Sequence, residues 1–461
     1  MQSYTDGNTG VLGIIGNPVR HTMSPLIHGM FAEMTDLNLV YVPFEVPEGG
    51  LKNAVRGAFE LGIKGMNVTV PYKSEVIRYL KYTDPMAQSV GAVNTLVRDD
   101  NLKGYRGYNT DMSGLYRAMQ SEGIELEGET VVILGAGGVA RPTAHLCIKK
   151  GARKVYILNR TLDKAVAIAD ELEDDRVIPM DIADYHKVLL EEKSFFAIQC
   201  TSVGLFPDVN SAVIEDPEFY AHVSAALDVV YKPIETKFLK LSRDAGAATF
   251  SGLKMLLYQA VDAFELWNEG VKITDQQADE VYRSLMMEVS GARNVILEGF
   301  MGSGKSTVSE ILSDRLSLDI LDTDEAIERT EGRSISEIFK EDGEEAFRDM
   351  ETELIETLVK DHWRDMVVSL GGGLPIREDN RKLLKEAGKV IYLKVSPEAA
   401  YERLKGDDTR PLLKSDDPLG RIRQLQEKRS MIYDEAADIV IDTDNRTPEE
   451  VAAEIIDRLG L

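Results

Sequence analysis

The run Gly299-Phe-Met-Gly-Ser-Gly304-Lys305-Ser306 fits G-x-x-x-x-G-K-[ST] and stands between an apolar run and a helical pattern, the setting a phosphate cradle requires. The residue types explain the chemistry. Glycines let backbone N–H groups curl around a β-phosphate, and the following helix N-terminus adds donors of its own. Gly302, Ser303, Gly304, Lys305, Ser306 and Thr307 are the candidate nucleotide contacts. Lys305 would neutralise charge on the β- and γ-phosphates of ATP, and Ser306 would hold Mg2+. A cradle of this kind does not by itself name the phosphoryl acceptor.

A second glycine turn, Gly135-Ala136-Gly137-Gly138-Val139-Ala140, follows the apolar run Val131–Leu134 and opens a helical pattern. That is G-x-G-x-x-[GA] in its dinucleotide-binding setting, with the pyrophosphate over a helix N-terminus. The next strand pattern, Val155–Leu158, ends in Asn159-Arg160-Thr161 instead of an acidic residue, with Lys164 one turn on. Those groups suit a ribose 2′-phosphate, so NADP(H) is expected over NAD.

The elements that must position these groups alternate strand and helix, as in α/β folds with mainly parallel sheets. Apolar runs predict strands at Val11–Ile15, Gly65–Val70, Val131–Leu134, Val155–Leu158, Ala226–Val230, Val295–Leu297, Val367–Leu370 and Val390–Val395. Residues 252–270 read as a helix with Leu256, Ala260, Phe264 and Trp267 in the core, followed by a helix over Asp275–Val289. With 461 residues the chain is too long for one core. We expect an N-terminal α/β substrate domain over 1–110, completed by 252–289, and a Rossmann NADP domain over 111–251. A P-loop NTPase-type α/β domain over 292–461 follows, with the main boundary near Gly291.

Composition narrows the partners. A net charge of −25 argues against nucleic acid, which needs a basic face to displace counterions. It leaves room for anionic small substrates, because a few placed cations dominate one pocket. Cys147 and Cys200 are the only cysteines, too few for a disulfide framework or a thiolate metal cluster, and both read as core residues. The stretch MQSYTDGNTGVLGIIG lacks the basic and long apolar regions of a signal peptide, and no apolar run has transmembrane length. A cytoplasmic enzyme without membrane partners is expected; oligomeric state is not legible.

Residues 292–461 resemble shikimate kinase. The resemblance rests on the P-loop, Leu-Asp-Thr-Asp at 321–324, Gly-Glu-Glu-Ala-Phe-Arg at 343–348, Gly-Gly-Gly at 371–373, Arg-Pro-Leu-Leu at 410–413 and Arg-x-x-x-Tyr at 429–433. Asp322 and Asp324 are expected to leave a strand on one face. The resemblance gives Asp322 to the Mg2+ shell and Asp324 to the acceptor hydroxyl and its proton. Arg348 and Arg429 suit bidentate binding of a carboxylate, and Gly371, Gly372 and Gly373 bring backbone close to a cyclic acceptor. Arg410 sits in a polar segment that reads as a closing lid and would stabilise the transferring phosphoryl group. Arg403 and Arg446 are candidates for adenine contacts.

Residues 10–285 resemble shikimate dehydrogenase. The matching stretches are Ile15-Gly-Asn-Pro with His21-Thr-Met-Ser-Pro25, Gly65-Met-Asn-Val-Thr-Val-Pro-Tyr-Lys73, Gly91-Ala-Val-Asn-Thr95 and Gly107-Tyr-Asn-Thr-Asp111. Asp228-Val-Val-Tyr-Lys-Pro233 and Gly252-Leu-Lys-Met-Leu with Gln259-Ala260 complete the series. The resemblance assigns Lys73 and Asp111 to catalysis: Lys73 polarises a ring ketone and donates its proton, and Asp111 pairs with it. Thr22, Ser24, Asn67, Thr69, Asn94 and Gln259 would bind a polyhydroxy acid, Tyr231 its carboxylate or ring, and Gly252 the cofactor side. Taken alone, Lys73 reads as a surface lysine, Asp111 as a helix N-cap, and His21 as a hydrogen-bonding loop residue.

Two positions depart from the family pattern. Thr22 stands where serine is usual, and Gln199-Cys200-Thr201-Ser202 replaces a more usual Asn-Ala-Thr-Ser. The resemblance implies consecutive reactions: NADPH-dependent reduction of 3-dehydroshikimate, then ATP-dependent phosphorylation of shikimate. The alternatives are an NAD-dependent quinate/shikimate dehydrogenase fused to a kinase, against which Arg160 speaks, and a non-catalytic ligand sensor. A sensor would have lost its reactive groups, whereas Lys73, Asp111, Lys305, Ser306, Asp322 and Asp324 are all present.

Overall fold

Alternating apolar strands and amphipathic helices assemble into three sheets in the computed structural model, which describes residues 5–20, 22–205, 208–405 and 417–461. The chain divides into two compact units, Met1–Leu285 and Met286–Leu461. The helix Asp275–Ser290 runs across that division, and its Met287 belongs to the core of the second unit.

The first sheet holds β1 (Gly10–Gly16), β2 (Leu39–Glu45), β3 (Gly65–Val68), β4 (Tyr82–Thr83), β5 (Thr95–Asp99) and β6 (Gly104–Tyr108), in the order β2-β1-β3-β5-β6-β4. Its β3–β5 and β5–β6 pairs are antiparallel and the rest parallel. The second sheet, β7 (Thr130–Leu134), β8 (Lys154–Asn159), β9 (Val177–Asp181), β10 (Phe195–Gln199), β11 (Val223–Asp228) and β12 (Ala248–Ser251), is wholly parallel. Its order, β12-β11-β10-β7-β8-β9, is the doubly wound Rossmann order, with the switch point between β7 and β10. Burial on both faces explains why β7 reads as an unbroken apolar run.

The second unit has one parallel sheet of β13 (Asn294–Glu298), β14 (Asp319–Asp322), β15 (Met366–Ser369), β16 (Lys389–Lys394) and β17 (Ile439–Asp442), ordered β14-β15-β13-β16-β17. From β13 the chain goes to the edge strand β14, returns through β15 and then crosses to β16 and β17 on the other side, so the C-terminal end of β13 is a switch point, where α/β sheets place ligands. The P-loop follows there directly. Leu297 faces one apolar layer and Ile296 the other.

The helix Leu253–Trp267 returns to the first sheet. Trp267 Nε1 donates to the Leu96 carbonyl at 2.8 Å, and its ring lies so close to Gly65 that a Cβ there would stand 2.2 Å from it. The same helix crosses Thr110–Ser121 at Gly114, where a Cβ would meet the Gln259 backbone nitrogen at 2.5 Å. Ala260, Phe264 and Trp267 are buried as the periodicity predicts. Leu256 is not a core residue: it is half-buried and lines a cavity, because it falls at the edge of the apolar stripe. Among the described residues no helix is long and apolar enough to cross a membrane.

Candidate active sites

In the first unit a cavity of about 380 Å3 opens at the C-terminal ends of β1 and β3. Thr22, Ser24, Asn67, Thr69, Lys73, Asn94, Asp111, Tyr231 and Gln259 all line it, as do Val139 and Gly252 from the nucleotide side. Lys73 Nζ donates to Asp111 Oδ2 at 2.7 Å, with both side chains mostly buried. The other carboxylate oxygen, Oδ1, accepts from Asn94 Nδ2 at 2.9 Å. Asn94 is itself oriented by the Thr110 N–H, which donates to its Oδ1 at 2.8 Å. The amide of Asn67 is fixed in the same way: Tyr41 Oη donates to Oδ1 at 2.7 Å, and Nδ2 donates to the Asn94 carbonyl at 3.2 Å. Thr22 Oγ1 and Ser24 Oγ are joined at 3.1 Å. The result is a wall of neutral donors and acceptors around one ammonium–carboxylate pair, suited to a small polyol with one polarised oxygen.

Lys73 and Val139 also border a second hollow of about 560 Å3, whose wall includes Ala136, Gly137, Gly138, Lys164 and Cys200. Gly135 has φ +106°, a conformation L side chains rarely adopt, and a Cβ there would meet the Thr201 side chain at 2.5 Å. Its N–H donates to the Leu158 carbonyl at 2.8 Å, and Ala136 N–H donates to Asn159 Oδ1 at 3.2 Å. Asn159 thus holds the turn, while Arg160, Thr161 and Lys164 stand exposed beyond β8. Cys200 is buried, and burial pushes its thiol up to about 12, which removes it as a nucleophile at neutral pH.

In the second unit Gly299, Gly302 and Gly304 have φ of +146°, +78° and +94°, the loop conformation that turns successive N–H groups inward. Lys305 Nζ donates to the Gly299 carbonyl at 2.9 Å. Ser306 and Thr307 are exposed in the first turn of Lys305–Leu316. A Cβ on Gly371 would lie 2.2 Å from Asp324 Oδ1, and one on Gly373 2.2 Å from Arg348 Nη1. Only glycine lets both side chains approach that closely. The Gly372 carbonyl accepts from Tyr433 Oη at 2.6 Å and from Arg429 Nη1 at 3.2 Å. Arg348 is held by Glu351 at 2.7 Å and Glu344 at 3.1 Å. Burial, reinforced by the neighbouring Asp322 charge, raises the Asp324 carboxyl, while Lys305 and Arg348 pull it back.

A family model described as the shikimate dehydrogenase substrate binding domain matches residues 14–96, and one for shikimate / quinate 5-dehydrogenase matches 117–203. The shikimate dehydrogenase (NADP(+)) of Caldanaerobacter subterraneus subsp. tengcongensis is 38% identical over 262 residues, which covers 57% of this chain and 92% of that protein. The chain belongs to the shikimate dehydrogenase family. The shikimate dehydrogenase (NADP(+)) of Methanothermobacter thermautotrophicus is similar at 38% over 280 residues, 60% of this chain and 98% of that one. Among solved structures, a chorismate mutase/shikimate 5-dehydrogenase fusion protein from Clostridium acetobutylicum matches with TM-score 0.56 and 32% identity, covering 61% of this chain and 99% of that chain. The shikimate 5-dehydrogenase of Thermus thermophilus in complex with NADP(H) and shikimate matches with TM-score 0.53 and 30% identity, covering 60% and 99%. A shikimate kinase family model matches residues 301–460. A shikimate dehydrogenase and a shikimate kinase domain therefore share one chain, a bifunctional enzyme of the shikimate pathway.

Two details of the dehydrogenase and the kinase domain differ from the sequence reading. Asp322 and Asp324 are not two strand residues on one face. Asp322 ends β14 and caps the helix Thr323–Glu331, its Oδ1 accepting from the Asp324 and Glu325 N–H groups at 3.0 and 3.3 Å. Asp324 therefore projects from a first helical turn. Asp111 is not an N-cap either, since Asn109 fills that position and accepts from the Asp111 and Met112 N–H groups. Arg403 and Arg446 hold protein carbonyls: Arg403 those of Gly302 and Thr443, Arg446 those of Asp442 and Glu450. Arg410 and His21 lie outside the described residues.

Four charged residues emerge only from the structure. Arg20 lines the dehydrogenase cavity. Asp228 is fully buried at the end of β11; its Oδ2 accepts from Gln199 Nε2 and Thr236 Oγ1, both at 2.6 Å, and its Oδ1 from the Val230 N–H at 2.9 Å. Burial pushes its carboxyl up to about 7 against the pull of those donors. Glu298 closes β13 immediately before the P-loop, fully buried, with its carboxyl pushed up to about 8 by burial. Glu351, buried beside Arg348, rises to about 7 for the same reason.

Proposed function

We propose that the dehydrogenase part reduces 3-dehydroshikimate to shikimate with NADPH, and that the kinase domain converts shikimate to 3-phosphoshikimate with ATP. On this reading residues 1–110 with 252–289 form the substrate domain, 111–251 the NADP domain and 292–461 the kinase. The observation that carries it is the Lys73–Asp111 pair at 2.7 Å, set in a wall of hydroxyl and amide groups that continues into the glycine turn.

The residues fit the nucleotides. Gly137 and Gly138 present little side-chain bulk where a pyrophosphate would lie, and Arg160, Thr161 and Lys164 stand where a 2′-phosphate would need them. Held over the glycine turn Gly135–Val139, NADPH would supply a hydride for the ring carbonyl carbon. Lys73 gives its proton to the carbonyl oxygen as the alcohol forms, and Asp111 keeps the ammonium aimed while that proton leaves. Thr22, Ser24 and Tyr231 take the carboxylate, and Asn67, Thr69, Asn94 and Gln259 the hydroxyls.

In the kinase domain Asp324 accepts the proton of the attacking hydroxyl, a task its raised affinity for protons suits. Arg348 and Arg429 bind the shikimate carboxylate, and Gly371–Gly373 form the floor. Mg2+ would be held by Ser306 and Asp322. Such an ion commonly takes most of its oxygens from substrate phosphates and water. Arg410 would stabilise charge on the moving phosphoryl group. Arg403 and Arg446, their guanidinium planes fixed by carbonyl bonds, offer faces for adenine. We place the enzyme in the cytoplasm with small molecules as its partners, in keeping with two free cysteines.

A coupled assay tests the whole reading. NADPH oxidation is expected on adding 3-dehydroshikimate, followed by ATP-dependent phosphorylation of the product. An enzyme that acts on neither substrate would overturn it.

A further inference from the structure

Among the described residues, the charged side chains on the wall of the dehydrogenase cavity are Arg20, Lys73 and Asp111. Lys73 and Asp111 neutralise each other. Arg20 is therefore the unbalanced charge of the cavity. Its carboxylate partner, Glu45 at 3.3 Å, does not line the cavity at all but the adjoining groove, which Arg20 shares with Asn17, Pro43 and Pro47. Arg20 thus stands at a rim between two hollows, with its counter-charge on the outer side. It precedes Thr22 and Ser24 on the same stretch of wall, and its side chain is 82% exposed, so packing does not fix its direction.

We propose that Arg20 is a specificity-determining residue whose guanidinium exchanges Glu45 for the carboxylate of the incoming substrate. This rests on reading the cavity as the 3-dehydroshikimate site. An exposed pair of long side chains is held weakly, because ordering and screening offset most of the Coulomb gain. A guanidinium meeting a carboxylate at the mouth of a partly enclosed cavity gains directed, charge-assisted hydrogen bonds instead. The exchange also answers a problem of field. A chain of net charge −25 repels an anionic substrate, and a guanidinium that can turn from Glu45 offers that substrate a local cation at the entrance. Glu45 sets the resting competition, so weaker anions are not retained.

The test uses the full-length enzyme, with 3-dehydroshikimate and its methyl ester compared in steady-state kinetics. Arg20→Gln is expected to raise the KM for the acid about ten-fold, with kcat moving less than KM and the KM for the ester nearly constant. The preference for acid over ester shrinks accordingly. Glu45→Gln should lower the KM for the acid, the opposite direction. Added salt should erode kcat/KM for the acid more in the unaltered enzyme than in Arg20→Gln. If Arg20→Gln keeps the original acid-to-ester ratio in an active enzyme, the role of Arg20 is overturned. If the unaltered enzyme fails to reduce 3-dehydroshikimate, it is the underlying reading of the cavity that falls.

Discussion

In the dehydrogenase cavity the Lys73, Asp111, Asn94 and Asn67 side chains are hydrogen-bonded to one another or to neighbouring groups, whereas in the kinase domain several buried oxygens have no hydrogen bond among the described residues. Asp111 uses both oxygens, on Lys73 and Asn94, and Asn67 is clamped by Tyr41. Ser303 Oγ and both oxygens of Glu298, at the kinase cradle, and Oε1 of Glu351, beside Arg348, are buried without such a partner. The two sites await different ligands. A hydroxylated ring with one carbonyl brings few charges, so its pocket can be completed in advance and loses little to reorganisation. A nucleotide and its metal bring many, and its cradle offers backbone N–H groups in place of a finished set of side-chain partners.

Crossed kinetics offer the strongest way to break that comparison. Lys73→Met should lower the dehydrogenase kcat about 1,000-fold, as loss of a general acid does, and leave phosphorylation of added shikimate intact. Lys305→Met should lower kinase kcat/KM about 100-fold and spare NADPH oxidation. If either substitution disables both reactions, the sites are not independent. A smaller effect is expected on the cofactor side. Arg160→Ser combined with Lys164→Ser should raise the KM for NADPH about ten-fold with little change for NADH, and equal losses for both would remove the 2′-phosphate role.

The smallest effect sharpens the contrast through pH. Glu298 binds its proton more tightly in the fold, near 8, than at its ordinary value of 4.5. As pH rises between those values the unfolded chain gives up the proton first, so this residue costs stability across that window. Glu298→Gln has no proton to lose. The melting midpoint of the variant should therefore gain on that of the unaltered protein between about pH 5 and about pH 8. A difference that stays constant with pH would mean Glu298 is ionised in the fold and partnered after all.

What the sequence made legible was local. Gly135–Val139 and Gly299–Ser306 are each a continuous turn between strand and helix, so spacing alone located them. The strands β7, β8 and β13 were equally plain, each built around an apolar run of three or four residues. Misreadings arose where one residue decided the local geometry. Asp322 caps a helix, so strand alternation stopped two residues earlier than the pattern implied. Asn109 took the capping position that Asp111 also could have filled. Arg20, Asp228 and Glu351 acquire meaning from partners or walls distant in the chain, which no spacing rule reports. Glu298 did leave a trace: a carboxylate directly after the apolar run Val295–Leu297, at a position the parallel sheet buries.

The carboxylate of Asp228 gathers the turn after β10, the start of the helix Lys237–Asp244 and the strand end that leads to Tyr231. Gln199 ends β10 just before Cys200, which borders the glycine-turn hollow; Thr236 caps the helix Lys237–Asp244, and Tyr231 lines the substrate cavity. A change at any one of the three donors shifts the other two, so this part of the enzyme drifts as a block. Lineages that alter Gln199 should carry compensating changes at Asp228 or Thr236.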